Sequence, residues 1–196
     1  VLVTVDRPTF FEYMKAKYWE DDNTLVPWND LRGNISSEEE QTALREKYYK
    51  LYGTTLRGLQ IHHQVDAEDY LAFVHDIPLE QYLTQDEALY NLLCSLPQKK
   101  WIFTNANDAH AKRVLSLLGI ESCFEGIIDI HKLGFICKPY LYAYYRALEI
   151  AKNPITEHCV LFDDSPRNLI PAQSLGMTTV LIGDGEENSD QLPNIK

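Results

Sequence analysis

Apolar residues follow two different rhythms along this chain. Between residues 36 and 96 they recur at helical spacing, whereas beyond Pro97 short apolar runs alternate with helical stretches. Ser37-x-x-Glu40 forms a capping box, which predicts a helix running to about Tyr52 and closed by Gly53. Residues 54–63 read as less regular. Asp66 is placed to cap a helix through His75, and Thr84-x-x-Glu87 is placed to open one that ends before Pro97. No strand is predicted from Ser36 to Leu83, so this stretch reads as an inserted helical subdomain.

After Pro97 the pattern predicts strands over 99–104, 126–130, 159–164 and 178–182. Helices are predicted over 108–118, 140–151 and 167–175, with Gly119 and Gly176 as stops. Val1-Leu2-Val3-Thr4-Val5 reads as a further strand ending on Asp6, and Phe10, Phe11, Met14 and Tyr18 read as a helical core stripe. Strict strand–helix alternation with short connections requires a parallel sheet covered by helices on both faces. The predicted fold is therefore α/β, a three-layer Rossmann-like parallel sheet carrying an inserted all-helical subdomain. Its expected core is 1–10 and 97–196, with 11–96 forming the helical insertion and connecting segments.

The run Cys159-Val160-Leu161-Phe162-Asp163-Asp164-Ser165-Pro166-Arg167-Asn168 organises the rest. Four apolar residues read as a central parallel strand that ends on two adjacent carboxylates, where an open α/β sheet places its ligand. Two such side chains repel unless a cation lies between them, and hard oxygen donors suit Mg²⁺. The alternative is that Asp163 or Asp164 only caps the helix beginning near Pro166. Thr104 and Asn105 end another strand just before a helix N-terminus, a setting that favours an anion, although Thr104 alone is also an ordinary cap. Lys138, ahead of Pro139, offers a point charge to a phosphate, or else is a surface lysine before a helix. Taken together, a hydroxyl, an ammonium and an acidic pair supply what phosphoryl transfer needs, by holding oxygens and neutralising charge.

The 196 residues are 45% hydrophobic and 24% charged, with a net charge of −11. This acidity argues against a nucleic-acid polymer or an anionic membrane as partner, while a small phosphorylated molecule remains compatible if a cation reverses the local field. The four cysteines show no C-x-x-C spacing, and buried reduced thiols are expected. No stretch reads as a signal peptide or membrane span, so a cytoplasmic or nuclear location is the default.

The motifs Tyr48–Leu59, Phe103-Thr-Asn-Ala106, Cys137-Lys-Pro139 and Phe162-Asp-Asp-Ser165, in this order, resemble the haloacid-dehalogenase-like (HAD-like) superfamily. Within it, the chain is most similar to the pyrimidine 5′-nucleotidase-like branch. The resemblance implies that Thr104 and Asn105 bind the phosphoryl group, that Lys138 is the third motif, and that Asp163 and Asp164 hold Mg²⁺. It also implies that the helical insertion is a cap that sets substrate choice, with Arg57, His62 and His63 as candidate contacts alongside Tyr52. The family's first motif is a strand followed by Asp-x-Asp-x-Thr, with the first Asp as nucleophile and metal ligand. No such run occurs here. Asp6 has the right strand before it, but its partner two positions on is Pro8, which cannot shuttle a proton. The competing match, Glu20-Asp21-Asp22-Asn23-Thr24-Leu25, puts Glu20 where the nucleophile belongs and lacks a strand before it, with Asp22 the other candidate.

The expected function is a Mg²⁺-dependent hydrolase of a small phosphomonoester, by resemblance a pyrimidine nucleoside 5′-monophosphate, acting through an aspartyl-phosphate. The alternative is a catalytically impaired binding or regulatory protein, favoured by the broken first motif. Dehalogenase-type chemistry is disfavoured, because halide displacement has no use for the Asp163–Asp164 pair.

Overall fold

A computed structural model of the chain describes residues 38–183. The expectations for Val1–Val5, Asp6, the stripe over 10–18, Glu20, Asp22 and Ser37 lie outside the described residues. Cα packing divides the chain into two compact units. Among the described residues, one comprises 38–92 and 109–121, and the other 93–108 and 122–183.

Helices α1 (Glu38–Tyr52), α2 (Thr55–His63) and α3 (Ala67–Val74) lie in the first unit. Gly53 ends α1 at φ 80°, a left-handed conformation that costs glycine little. The stretch read as less regular is helix α2. Thr54 caps it by accepting from the Arg57 N–H at 3.2 Å, a local signal that the apolar count alone misses. Asp66 caps α3 as expected, accepting from the Asp69 N–H at 2.9 Å. Helix α4 (Glu87–Ser95) is capped by Asp86 and not by Thr84, since Asp86 Oδ1 accepts the Leu89 N–H at 2.8 Å. Aspartate wins because an adjacent carboxylate also complements the helix dipole. The core of this unit is built on Leu56, Leu59, Leu71, Val74 and Leu79, all buried, together with Leu115 and Leu118 from helix α5 (Asp108–Leu118).

The second unit holds two parallel strand pairs. Strand β1 (Trp101–Phe103) pairs with β2 (Gly126–Ile128), Ile102 opposite Ile127. Strand β3 (Val160–Asp163) pairs with β4 (Thr178–Leu181), Phe162 opposite Val180. Helices α6 (Leu141–Ile150) and α7 (Pro166–Ser174) complete it. Ala143, Tyr144 and Ala147 of α6 face inward at helical spacing onto Ile128, Leu133 and Ala172, and Trp101, Phe103 and Leu161 pack on that cluster.

Strand β3 is less buried than its apolar run implies. Leu161 packs inward and Asp163 is buried, but Val160 and Phe162 are 51% and 61% exposed, and β4 is its partner among the described residues. An unbroken apolar run does not tell whether the second face of a strand is covered. The cysteines differ from expectation as well. None of the four is in a disulfide, yet only Cys137 is buried, while Cys94 is exposed and Cys123 and Cys159 are half-buried.

Candidate active site

Three segments of the second unit meet at the carboxyl ends of β1 and β3, and Lys138 joins them. Its side chain is 5% exposed, so it is no surface lysine. Nζ donates to the Phe103 carbonyl at 3.0 Å and to Asp163 Oδ2 at 2.6 Å, linking the end of β1 to the end of β3. The ammonium also lies 5.0 Å from the centroid of the Phe103 ring. Its main chain is gripped by Asn105, whose Oδ1 accepts the Lys138 N–H at 2.9 Å and whose Nδ2 donates to the Lys138 carbonyl at 3.2 Å. Both ends of the Asn105 amide thus hold the lysine in place.

Asp163 is fixed from the other side. Its Oδ1 accepts the Ser165 N–H at 3.0 Å and Asn168 Nδ2 at 2.9 Å, so the carboxylate does shape the entry to α7 while its Oδ2 faces Lys138. The buried Tyr144 hydroxyl donates to the Asn168 carbonyl; burial first, then Asp163 and Cys137, push this phenol well above its usual range, and it stays a donor. Asp164, next in the chain, is exposed. Partial desolvation and then the neighbouring Asp163 raise its carboxyl above the usual carboxylate range, against its own backbone N–H and Lys138, which lower it. Thr104 extends the β1–β2 ladder through its N–H to the Ile128 carbonyl at 2.9 Å, and its Oγ1 accepts the Ala106 N–H at 3.0 Å.

Two residues that sequence reasoning left without a role help to build this place. Asn168 stood in the organising run, but only the turn of α7 aims it at Asp163. Asp129 is 2% exposed and accepts from the Asp108 N–H at 3.0 Å, the Lys132 N–H at 3.2 Å and His131 Nδ1 at 2.9 Å. Burial alone would raise its pKa, but the His131 contact and the two backbone donors outweigh burial and bring it below the usual carboxylate range. It anchors the first residue of α5 and so the loop that begins at Thr104. The signal was available, because Asp129 directly follows the strand Gly126–Ile128, as Asp163 closes its own.

The insertion candidates Arg57, His62 and His63 lie in the first unit. His63 Nε2 is 2.6 Å from the Tyr48 hydroxyl, and His62 Nε2 is 2.6 Å from the Tyr52 hydroxyl. Tyr48 also stacks on His62 with centroids 5.3 Å apart. Both histidines therefore take part in an aromatic cluster between α1 and α2. Burial and then His62 lower the pKa of His63 to about 4, and burial and then Arg113 lower that of His110, which stacks on His75 at 4.0 Å. Both groups titrate lower in the folded than in the unfolded state, so the unfolded chain binds more protons below about pH 6.5. Stability is thus full above that pH and falls as pH drops toward about 4. Thermal melts at pH 7.5 and 5.0 are expected to show the lower midpoint at pH 5.0, with a smaller difference for His63→Gln. An equal midpoint at both pH values contradicts the assignment.

A Lys–Asp pair bound into the ends of two parallel strand pairs, with a helix N-terminus after each, sets a buried charged site on a parallel α/β scaffold. The sequence profile of the haloacid dehalogenase-like hydrolases matches residues 10–176, and the chain belongs to that family. It is 33% identical over 171 residues to Phosphate metabolism protein 8 of Saccharomyces cerevisiae, a match covering 79% of this chain and 53% of that protein. The chain thus spans about half the length of this curated relative. Among solved structures, a HAD family enzyme from Bacteroides thetaiotaomicron superposes with a TM-score of 0.52 at 20% identity, covering 95% of this chain and 91% of that one. A HAD-hydrolase from Bacillus subtilis, solved bound to magnesium, gives 0.51 at 17% identity, covering 95% and 80%. At these identities the likeness speaks for the fold, which is the Rossmann-like α/β architecture expected from the strand–helix alternation. No helix among the described residues is long and apolar enough to cross a membrane.

Proposed function

We propose that the chain is a Mg²⁺-dependent phosphomonoester hydrolase whose site lies at the carboxyl ends of β1 and β3. The observation that supports this most directly is the double grip on Lys138, Nζ on both Phe103 and Asp163 and main chain on Asn105. Such an arrangement fixes an ammonium where a phosphoryl group would be held and leaves the lysine no freedom to drift.

The donors fit a hard divalent cation. Among the described residues no group of three His, Cys, Asp or Glu side chains gathers, but Mg²⁺ is commonly held by one or two carboxylates, with water and phosphate completing its shell. Asp163 has Oδ1 filled by two donors and Oδ2 engaged by Lys138, which leaves Asp164 as the readier ligand. Partial desolvation first, and then the neighbouring Asp163, hold the Asp164 carboxyl above its usual range, and a bound cation would oppose both effects. When bound, Mg²⁺ supplies charge neutralisation to the phosphoryl oxygens. Thr104 Oγ1 and the N-terminus of α5 receive the remaining oxygens, and Asn105 acts by positioning Lys138. In this reading Asp6 attacks phosphorus and the ester P–O bond breaks to release the alcohol, leaving an aspartyl-phosphate that water hydrolyses to inorganic phosphate and the free carboxylate; a pyrimidine nucleoside 5′-monophosphate is the substrate suggested by the motif resemblance. The helical unit around Arg57, His62 and His63 is then the cap.

Initial rates of phosphate release across nucleoside 5′-monophosphates and simple aryl phosphates test this, with Mg²⁺ and with EDTA. Release should vanish in EDTA and fall by at least about 10²-fold in Asp6→Asn and Asp164→Asn. Undiminished release in EDTA overturns the metal assignment. A second reading, a phosphate-binding module without turnover, is favoured by Pro8 standing where an acid/base carboxylate is needed. Its signature is Mg²⁺-dependent phosphate binding by calorimetry with no turnover of any substrate.

A further inference from the structure

We propose that Cys94 and Cys123 form a reversible intramolecular disulfide, a redox modification site separate from the phosphoryl site. Cys94 is the penultimate residue of α4, and Cys123 ends the short 3₁₀ turn Glu121–Cys123 that leads into β2. They are 29 residues apart in the chain, belong to the same compact unit, and their sulfurs lie 3.8 Å apart. A disulfide needs about 2.05 Å between the sulfurs, a closure that small rotations of two accessible side chains can supply. Neither remaining thiol is placed to compete. Cys137 is fully buried, and the Cys159 Sγ is turned to the Ile155 carbonyl at 3.3 Å.

The two thiols differ in a way that orders the chemistry. Cys94 is exposed and Cys123 is half-buried, so an external oxidant reaches Cys94 first. Partial burial and then the Cys94 thiol hold the Cys123 thiol above its ordinary range, opposed by the nearby Lys100 ammonium. The oxidant required is a low-molecular-weight disulfide such as oxidised glutathione. The Cys94 thiolate attacks one of its sulfurs, forming a mixed disulfide and expelling one glutathione thiolate. The Cys123 thiolate then attacks the Cys94 sulfur, forming the intramolecular bond and expelling the second. The protein loses two protons and two electrons, and the oxidant is reduced to two thiols.

The bond would close a ring of chain that contains β1, the Thr104–Asn105 loop and α5, and so restrict the unfolded state. The 196-residue chain is to be equilibrated in glutathione buffers of increasing oxidised fraction, alkylated and mapped by peptide mass spectrometry. The expected product is a Cys94–Cys123 cross-linked peptide pair that dithiothreitol reverses. Its melting midpoint should exceed that of the reduced protein by on the order of 5–10 °C. Cys123→Ser should instead keep a glutathione adduct on Cys94, and neither Cys94→Ser nor Cys123→Ser should show the oxidative rise in midpoint. Glutathione adducts alone on the wild-type chain, or cross-links through Cys159, overturn the proposal.

Discussion

Lys138→Met is expected to lower the unfolding free energy by about 3–5 kcal/mol and to reduce phosphate release by at least about 10²-fold. The pair it breaks is almost wholly enclosed, Lys138 and Asp163 side chains being 5% and 1% exposed. Truncation leaves the Asp163 carboxylate without its counter-charge in a medium that solvates it poorly, and the Phe103 carbonyl loses a donor. The double variant Lys138→Met/Asp163→Asn separates the two effects. With no unpaired charge left inside, urea unfolding should recover most of the stability, whereas turnover should stay lost because the ammonium is gone. If the double variant is no more stable than the single one, the buried pair is not the source of the cost. If either variant keeps full turnover, the site has been placed wrongly.

The second large effect concerns Gly58, in the interior of α2. Helix propensity alone predicts that Gly58→Ala stabilises the protein by about 1 kcal/mol. Packing predicts the opposite sign. A Cβ built there would lie 2.3 Å from Tyr48 Cγ, 2.5 Å from Tyr48 Cβ and 2.6 Å from Cδ2. Tyr48 is buried, stacks on His62 and is hydrogen-bonded to His63, so its ring cannot swing aside without dismantling that cluster. The substitution must push α1 and α2 apart, and a loss of about 3 kcal/mol is expected. Urea denaturation of Gly58→Ala checks the sign, and adding Tyr48→Ala should remove most of the extra penalty. A gain in stability for the single variant would show that the two helices are not in close contact there.

Much of the secondary structure was legible because its signals are local. Helix α5 occupies the predicted residues, ending at a glycine of φ 72°, and α6 and α7 differ from expectation by a residue at each end. These boundaries follow from caps, apolar period and conformationally free glycines, which depend on a few neighbouring residues. Where two capping residues stood close together, as Thr84 and Asp86 do, spacing alone chose the wrong one. Cysteine burial was misjudged for a related reason: apolar neighbours in sequence do not settle which way a side chain points.

For the site, the sequence by itself determined which residues would stand at strand ends: Thr104, Asn105, Asp163 and Asp164, with Lys138 ahead of its helix. Residue order and apolar runs suffice for that, because a parallel sheet sends its strand ends to one edge. Only the tertiary structure decided their division of labour. The Asn105 amide spends both its ends on Lys138, Asp163 turns one oxygen to that lysine and one to Asn168, and Asp129 anchors the end of the loop that begins at Thr104. Each of these bonds joins groups distant in the chain or turned by a local helix, and the low dielectric around Lys138 exists only once Phe103, Tyr144 and the strands have packed. Spacing can place a residue at an edge, but which donor meets which acceptor there is settled by packing.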